Sequence, residues 1–277
     1  MKIAVIGSGV MGSGIAQVLA SQYKVVVRDI QSEALAKAKK SIEKNLSRSV
    51  EKAKLTQEGM DAIMANLTFS SEISDIADAD LVIEAATENA NVKKAIFKEL
   101  DQVVKAEAIL ATNTSSLSIT EVAMATQRPT QVIGLHFFNP VPMMALVEII
   151  SGQVTDVNVV EKVREVVLAI NKTPVIVNEA PGFVVNRILI PMINEAIACL
   201  HEGVASAEDI DTAMKLGANH PLGPLALGDL IGLDVCLAIM ETLFEELGDK
   251  YKPHQLLKKK VRANQLGRKT GQGFFTY

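Results

Sequence analysis

A histidine and a glutamate that belong to two consecutive predicted strands could form an acid–base pair. Residues 132–135 have the apolar character of a buried strand and run directly into His136. Glu148 lies inside the next apolar run, residues 146–150. A carboxylate in such a run needs a polar partner, and an imidazole suits general acid–base catalysis because it titrates near neutral pH. Two interpretations follow: a His136–Glu148 dyad, or a structural histidine and an unrelated buried acid.

Polar side chains also follow two other predicted strands at the point where each strand ends. Glu88 comes after the apolar run 81–86, and the turn 113–116, Asn-Thr-Ser-Ser, comes after the run 109–112. Ligands of open α/β sheets bind at the carboxyl ends of the strands. The turn fits either a helix cap or a ligand-binding turn. After Glu88, Asn91 is the expected N-cap of the next helix.

A glycine-rich turn near the start of the chain is typical of a dinucleotide site. An apolar run, residues 3–6, leads into Gly7, Gly9 and Gly12 and then into a helical pattern. These glycines would permit a sharp turn, close approach of a pyrophosphate, and tight packing of the helix on the strand. Phosphate would then face the helix N-terminus, where Val10 and Met11 complete the turn. The alternative is a glycine-bearing turn in some other α/β fold.

Asp29 supports the dinucleotide interpretation and bears on the choice of cofactor. It ends the second apolar run at about the ~20-residue distance at which an acid accepts hydrogen bonds from the adenosine ribose. A carboxylate there repels a 2′-phosphate, which favours NAD over NADP. Arg28 is adjacent and could pair with a 2′-phosphate. The alternative, a glycine-bearing turn in some other α/β fold, leaves Asp29 without a function. NAD is the expected cofactor.

The order of apolar runs and helical patterns predicts two domains. Strands and helices alternate up to Pro181, with a helical insertion over residues 32–64. After Pro181 only helices are predicted, including one long helix over residues 227–247. The prediction is a Rossmann-like α/β domain with an inserted helical hairpin, residues 1–181, followed by an all-helical domain, residues 182–277. The insertion carries basic residues that form either a solvated helix face or a clamp for an anionic ligand.

Composition limits the partners. The net charge of −4 argues against a nucleic-acid-binding surface. No stretch of about 20 residues is apolar and uncharged, so no membrane span is expected. A bound metal is not expected either. A cytoplasmic location is the default expectation. The helical domain has more apolar side chains than a small bundle can bury, which predicts that a second copy covers them in a homodimer or a higher homo-oligomer.

Taken together, the motifs resemble those of one enzyme family along essentially the whole chain. The chain is similar to the bacterial short-chain 3-hydroxyacyl-CoA dehydrogenases, of the 3-hydroxybutyryl-CoA type. The stretches that carry the resemblance are residues 7–12, 81–85, 113–116, 136–140, 179–187 and 267–271.

The resemblance implies roles for individual residues. His136 is the expected general base, Glu148 its orienting partner, and Ser115 and Asn186 the groups that bind the reacting oxygen. The residues expected to line the nicotinamide half of the cofactor site are Glu88, Lys93, Asn113, Ser115, Asn139 and Lys269. The residues expected to face the phosphates of an acyl-CoA are Arg48, Lys52 and Lys54. NAD is the usual cofactor of the family, and some members use NADP.

The implied activity is interconversion of an (S)-3-hydroxyacyl-CoA, such as 3-hydroxybutyryl-CoA, and the 3-oxoacyl-CoA. Two alternatives remain at this point. One is a dehydrogenase of a free hydroxy acid or sugar acid with the same two-domain plan. The other is a non-catalytic protein that binds NAD(P).

Overall fold

The computed structural model describes all 277 residues, which form two compact units, Met1–Glu179 and Ala180–Tyr277. Strands and helices alternate through the first unit. Its strands are β1 (Lys2–Ile6), β2 (Lys24–Arg28), β3 (Leu67–Ser70), β4 (Leu81–Glu84), β5 (Ile109–Thr112), β6 (Val132–Phe137), β7 (Leu146–Ser151) and β8 (Thr173–Asn178). Its helices are α1 (Val10–Leu19), α2 (Ser32–Glu51), α3 (Gln57–Ala65), α4 (Ala90–Val103), α5 (Ile119–Ala123) and α6 (Val157–Ala169).

All eight strands belong to one sheet with the order β3-β2-β1-β4-β5-β6-β7-β8. Every neighbouring pair is parallel except β6 and β7, which are antiparallel. Strands β1, β4, β5 and β6 are almost wholly buried, which explains why each appears in the sequence as a continuous apolar run. The chain leaves β1 toward β2 on one side and reaches β4 on the other. This reversal opens a crevice at the carboxyl ends of β1 and β4, where such sheets bind ligands, and it confirms the predicted Rossmann-like architecture.

The predicted helical insertion is present as α2 and α3. Helix α2 buries Leu35, Ala38, Ile42 and Leu46, a spacing of three or four residues that presents one apolar face. The chain then turns, and the Thr56 side chain caps α3 by accepting a hydrogen bond from the Gly59 amide at 3.1 Å.

The second unit is helical, as predicted. Its helices are α7 (Val185–His201), α8 (Ala207–Gly217), α9 (Pro224–Ile231), α10 (Leu233–Leu247) and α11 (Gln255–Arg262). The single long helix predicted over residues 227–247 is wrong, because the chain breaks at Gly232, which has a φ of 105°. That conformation favours glycine and cannot continue an α-helix. None of the helices combines the length and the apolar character that a membrane crossing requires.

The start of α4 also differs from the prediction. Asn89, and not Asn91, is the N-cap: its side-chain oxygen accepts a hydrogen bond from the Val92 amide at 3.1 Å. Asn91 lies inside the first turn of the helix. Both asparagines satisfy the sequence preference for this position, so the preference alone could not separate them.

Candidate active site

The glycine turn between β1 and α1 leaves open space at one position only. Gly7 has a φ of 92°, and a Cβ there would lie 2.8 Å from the Ala85 carbonyl oxygen. A Cβ on Gly12 would lie 1.8 Å from the Gly7 oxygen. Both glycines are therefore required by packing. A Cβ on Gly9 would meet nothing within 4 Å, so the protein itself has no need of a glycine there, and the space suits a closely approaching ligand.

The first turn of α1 is also suited to an anion. Gly9 is the N-cap residue and offers no capping side chain, and the first turn contains no acidic residue. The amide groups at this helix start therefore have no side-chain acceptor, and the positive end of the helix dipole favours negative charge. Val10 opens the helix and is largely exposed, with Met11 beside it. These features fit the pyrophosphate of a dinucleotide.

Asp29 follows β2 and is bound to the same turn. Its Oδ2 accepts hydrogen bonds from the Ser8 amide at 2.8 Å and the Ser8 hydroxyl at 2.7 Å. Its Oδ1 accepts one from the Gln31 amide at 3.0 Å. Burial by itself raises the pKa of Asp29, but these hydrogen bonds and the charge of Arg28 together lower it below its ordinary value of 3.8. The lowered pKa favours the charged carboxylate, which supports the turn through Ser8; its contact with a ribose stays a prediction.

His136 and Glu148 lie directly opposite each other on the antiparallel strands β6 and β7. The His136 Nδ1 and the Glu148 Oε2 are 2.8 Å apart, and the two residues are 5% and 1% exposed. The Phe138 ring packs on the imidazole at 4.5 Å between centroids. The two residues are thus a hydrogen-bonded pair. When Nδ1 carries the proton and donates it to the carboxylate, Nε2 is the nitrogen that can accept a proton from a substrate.

The turn after β5 is bound to Glu88. The Glu88 Oε1 accepts hydrogen bonds from the Thr114 hydroxyl at 2.6 Å and the Ser115 amide at 2.7 Å. The Asn113 Oδ1 accepts one from the Phe137 amide at 2.9 Å, which joins the turn to the strand that carries His136. The cap of the next helix, α5, is Ser118. The turn is therefore not the cap of α5, and ligand binding at this turn stays a prediction.

The sequence predicted one of two buried lysines without its ion pair, and did not indicate the other. Lys93, expected beside the nicotinamide, is only 2% exposed and pairs with Glu84 in the floor of the crevice. Lys172 was not singled out at all. Its Nζ donates to the Val141 and Met144 carbonyls at 2.8 and 2.7 Å, and burial lowers its pKa. The only sequence signal for Glu84 is a charged residue that ends a buried strand.

Lys172 fixes the segment between β6 and β7. Asn139, the exposed residue expected near the nicotinamide, begins this segment just after β6. Val141 is buried, and a Cβ on Gly14 of α1 would lie 2.9 Å from it. The segment that follows His136 therefore packs on the helix that begins at the glycine turn.

The remaining predicted residues lie further along the chain or on the insertion. Asn186 lies in the first turn of α7 in the second unit. Lys269, also in the second unit, is paired with Asp234. The three basic residues expected to face phosphates are exposed at and just beyond the carboxyl end of α2: Arg48, Lys52 and Lys54. No group of three or more potential ligands is arranged to hold a metal ion.

The chain matches two domain models of a single family. The NAD binding domain of 3-hydroxyacyl-CoA dehydrogenase matches residues 2–180, and the C-terminal domain of 3-hydroxyacyl-CoA dehydrogenase matches residues 182–277. A 3-hydroxybutyryl-CoA dehydrogenase from Clostridioides difficile is 57% identical over 100% of this chain and 99% of its own length. A probable 3-hydroxybutyryl-CoA dehydrogenase from Deinococcus radiodurans is 53% identical over 100% of both chains.

Solved structures agree with these relatives. The crystal structure of (S)-3-hydroxybutyryl-CoA dehydrogenase from Ralstonia eutropha has a TM-score of 0.97 and 47% identity, and the match covers 100% of this chain and 98% of that one. The likeness extends through both units of the fold. With two family models that together span residues 2–277 apart from residue 181, the chain belongs to the 3-hydroxyacyl-CoA dehydrogenase family.

Proposed function

We propose that this chain catalyses the NAD-dependent interconversion of (S)-3-hydroxybutyryl-CoA and acetoacetyl-CoA. The observation that carries the proposal is the buried His136–Glu148 pair, whose Nδ1 and Oε2 are 2.8 Å apart. The pair lies in the same sheet as β1, the strand that leads into a glycine turn suited to a dinucleotide. The names of the C. difficile and R. eutropha relatives support the choice of substrate.

In this proposal His136 is the catalytic acid and base. During oxidation, Nε2 takes the proton of the 3-hydroxyl group; during reduction, the protonated imidazole returns it to the forming alkoxide. The Glu148 carboxylate holds the ring and stabilises the imidazole while it carries the extra proton. When bound, NAD would supply the acceptor for the hydride of C3, and NADH would supply the hydride in the reverse direction.

Ser115 and Asn186 are proposed to bind the reacting oxygen. A hydroxyl and an amide group can donate to a carbonyl oxygen and stabilise the negative charge that develops on it. The Ser115 backbone is fixed by Glu88. Asn186 belongs to the second unit and lies in the first turn of α7.

The proposal assigns different tasks to the two units and to the insertion. The first unit binds NAD, and residues 182–277 join two copies of the chain. The exposed cations Arg48, Lys52 and Lys54 bind the phosphates of the CoA moiety. Acyl-CoA and NAD are both intracellular metabolites, and we place the enzyme in the cytoplasm.

A direct assay tests this function. The purified chain is mixed with NADH and acetoacetyl-CoA, and NADH absorbance is followed, with free acetoacetate as the matched control. We expect kcat/KM to be much higher for the thioester, because contacts to the remote CoA moiety contribute to transition-state binding. Equal rates with both compounds would favour a dehydrogenase of free hydroxy acids, and tight NADH binding without any turnover would indicate a non-catalytic protein.

A further inference from the structure

Glu84 and Lys93 form a buried ion pair at the carboxyl end of β4. Glu84 has no role in the proposed mechanism. Glu84 is the last residue of β4, next to Ile6 of β1 and Thr112 of β5. It is 0% exposed, and its two carboxylate oxygens lie 2.9 and 2.7 Å from the Lys93 Nζ. Loss of one member of such a pair leaves an uncompensated buried charge.

The Glu84 carboxylate accepts two further hydrogen bonds. The Thr112 hydroxyl donates to Oε2 at 2.8 Å, and the Ala86 amide donates to Oε1 at 2.8 Å. The backbone at Ala86 adjoins the glycine turn, since a Cβ on Gly7 would lie 2.9 Å from the Ala86 Cα. Through the Ala86 amide, Glu84 therefore fixes the backbone beside the glycine turn.

Lys93 has a second carboxylate within reach. The Glu88 Oε2 lies 3.6 Å from its Nζ, beyond the 2.7 Å distance to Glu84. The other oxygen of Glu88 holds the Thr114 hydroxyl and the Ser115 amide. Two carboxylates thus compete for one buried ammonium group, and the closer one is Glu84.

We propose that Glu84 is a positioning residue that acts through Lys93 and Glu88. By neutralising Lys93 it leaves Glu88 bound to the Thr114 hydroxyl and the Ser115 amide, and so it sets the position of Ser115. In the absence of the Glu84 charge, the unpaired ammonium attracts Glu88 and pulls it away from the turn. This inference deepens the proposed function and rests on it.

Two substitutions at this residue separate charge from shape. Glu84→Gln keeps the shape and removes the charge, whereas Glu84→Asp keeps the charge and shortens the side chain. We expect kcat with acetoacetyl-CoA to fall about 10- to 100-fold in Glu84→Gln, as a misplaced reacting group does, and to fall less in Glu84→Asp. A role in packing alone predicts the reverse order, because glutamine fills the buried space better. The reverse order would overturn the proposal.

Thr112→Val is the matched control. It removes a different hydrogen bond to the same carboxylate at an equally buried position and leaves the charges unchanged. Its melting temperature is expected to fall while its kcat and its directly titrated Kd for NADH stay near those of the wild type. A loss of turnover in Thr112→Val as large as that in Glu84→Gln would show that any damage to the network suffices, and would also overturn the proposal.

A double-mutant cycle tests the route through Glu88. Once Glu88 is a neutral glutamine, Lys93 no longer attracts it strongly, so Glu84→Gln should cost much less turnover in the Glu88→Gln background than in the wild type. Additive losses would contradict that route. If Glu84→Gln does not accumulate as folded protein, Glu84→Asp decides the question alone, and a loss of about a hundredfold there would contradict a role for charge.

Wild-type turnover is measured first. No turnover of acetoacetyl-CoA by the wild type would refute the proposed function, whereas normal wild-type turnover with the wrong order of variants would refute only the role of Glu84.

Discussion

Gly9 differs from the other two glycines of the nucleotide turn in what surrounds it. Gly7 and Gly12 face backbone atoms of the protein, and any side chain there would collide with them. Gly9 faces open space. Packing explains the other two glycines but not Gly9.

Gly9→Ala therefore should affect binding and not folding. We expect its melting temperature to match that of the wild type, and its Kd for NADH to rise by about tenfold or more, because the added methyl group keeps the pyrophosphate away from the backbone. Binding is measured by fluorescence titration. Gly217→Ala, also at a position with open space, is the control and should bind NADH normally. Unchanged NADH binding in Gly9→Ala would contradict the assigned role of the turn.

The Asp29 carboxylate accepts hydrogen bonds from Ser8 and Gln31 within the protein, and this predicts an effect of pH on stability. Its pKa is lower in the folded chain than its ordinary value of 3.8, so its stabilising effect is present above that value and is lost as the pH falls through the lower folded pKa. We expect Asp29→Asn to reduce the free energy of unfolding by about 1 kcal/mol at neutral pH.

Urea unfolding of the wild type and Asp29→Asn at neutral pH and at several values below pH 3.8 measures this difference. The two unfolding midpoints should converge as the pH falls. A difference that stays constant over the whole range would mean that the Asp29 charge contributes nothing to stability.

The residues of the dyad were predictable because each lies in or directly after an apolar run, where a polar side chain stands out. Glu84 and Lys93 were harder to interpret, since their pairing depends on how a strand and the following helix meet in space. Lys172 gave no signal, because its partners Val141 and Met144 are backbone carbonyls about 30 residues away in the sequence.

At the scale of elements, the insertion is notable for where its charges lie. The cations Arg48, Lys52 and Lys54 follow one another at the carboxyl end of α2 and in the turn before α3. Favourable interaction with the negative end of the helix dipole explains part of this arrangement. All three side chains remain exposed, which leaves them accessible to phosphate groups.

Neutralising this cluster should weaken binding of the CoA moiety selectively. In Arg48→Gln/Lys52→Gln/Lys54→Gln we expect the KM for acetoacetyl-CoA to rise about tenfold, and the KM for acetoacetyl-pantetheine, which lacks the nucleotide, to stay unchanged. The control variant Lys37→Gln/Lys39→Gln/Lys40→Gln removes the same charge from the other end of α2. Equal effects of the two triple variants on the KM for acetoacetyl-CoA would mean that the cluster is only a solvated helix face.

The elements themselves were largely predictable, with exceptions that have a physical cause. Strands buried on both faces appear as continuous apolar runs, and this made β1, β4, β5 and β6 predictable. The break at Gly232 was missed because the apolar pattern continues across it from α9 into α10. Only the positive φ of Gly232 reveals the break, and a backbone angle leaves no mark on hydrophobic periodicity.

At the scale of the whole molecule, the second unit exposes large apolar side chains. Val184 precedes α7, and Ile188 lies within it and is 67% exposed. Apolar surface of this kind is commonly covered by a second subunit. This supports the proposed assembly of the chain through residues 182–277.

Light scattering coupled to size-exclusion chromatography tests that assembly. We expect the wild type to have a mass of at least twice 29.8 kDa, and Ile188→Asp to shift toward a single chain, because a charge buried in an apolar interface is costly. Val157→Asp, at a position 69% exposed in the first unit, is the control and should not change the mass. A wild type with the mass of a single chain would contradict the proposal.

The central claim is that His136, held by Glu148, transfers the proton of the reaction. The most direct test is single-turnover reduction of acetoacetyl-CoA by His136→Gln that is saturated with NADH, beside a titration of NADH binding. We expect the rate to fall by about 10²–10⁴-fold while the Kd for NADH stays near that of the wild type. A rate close to the wild-type value would contradict it and would assign the proton transfer to another group.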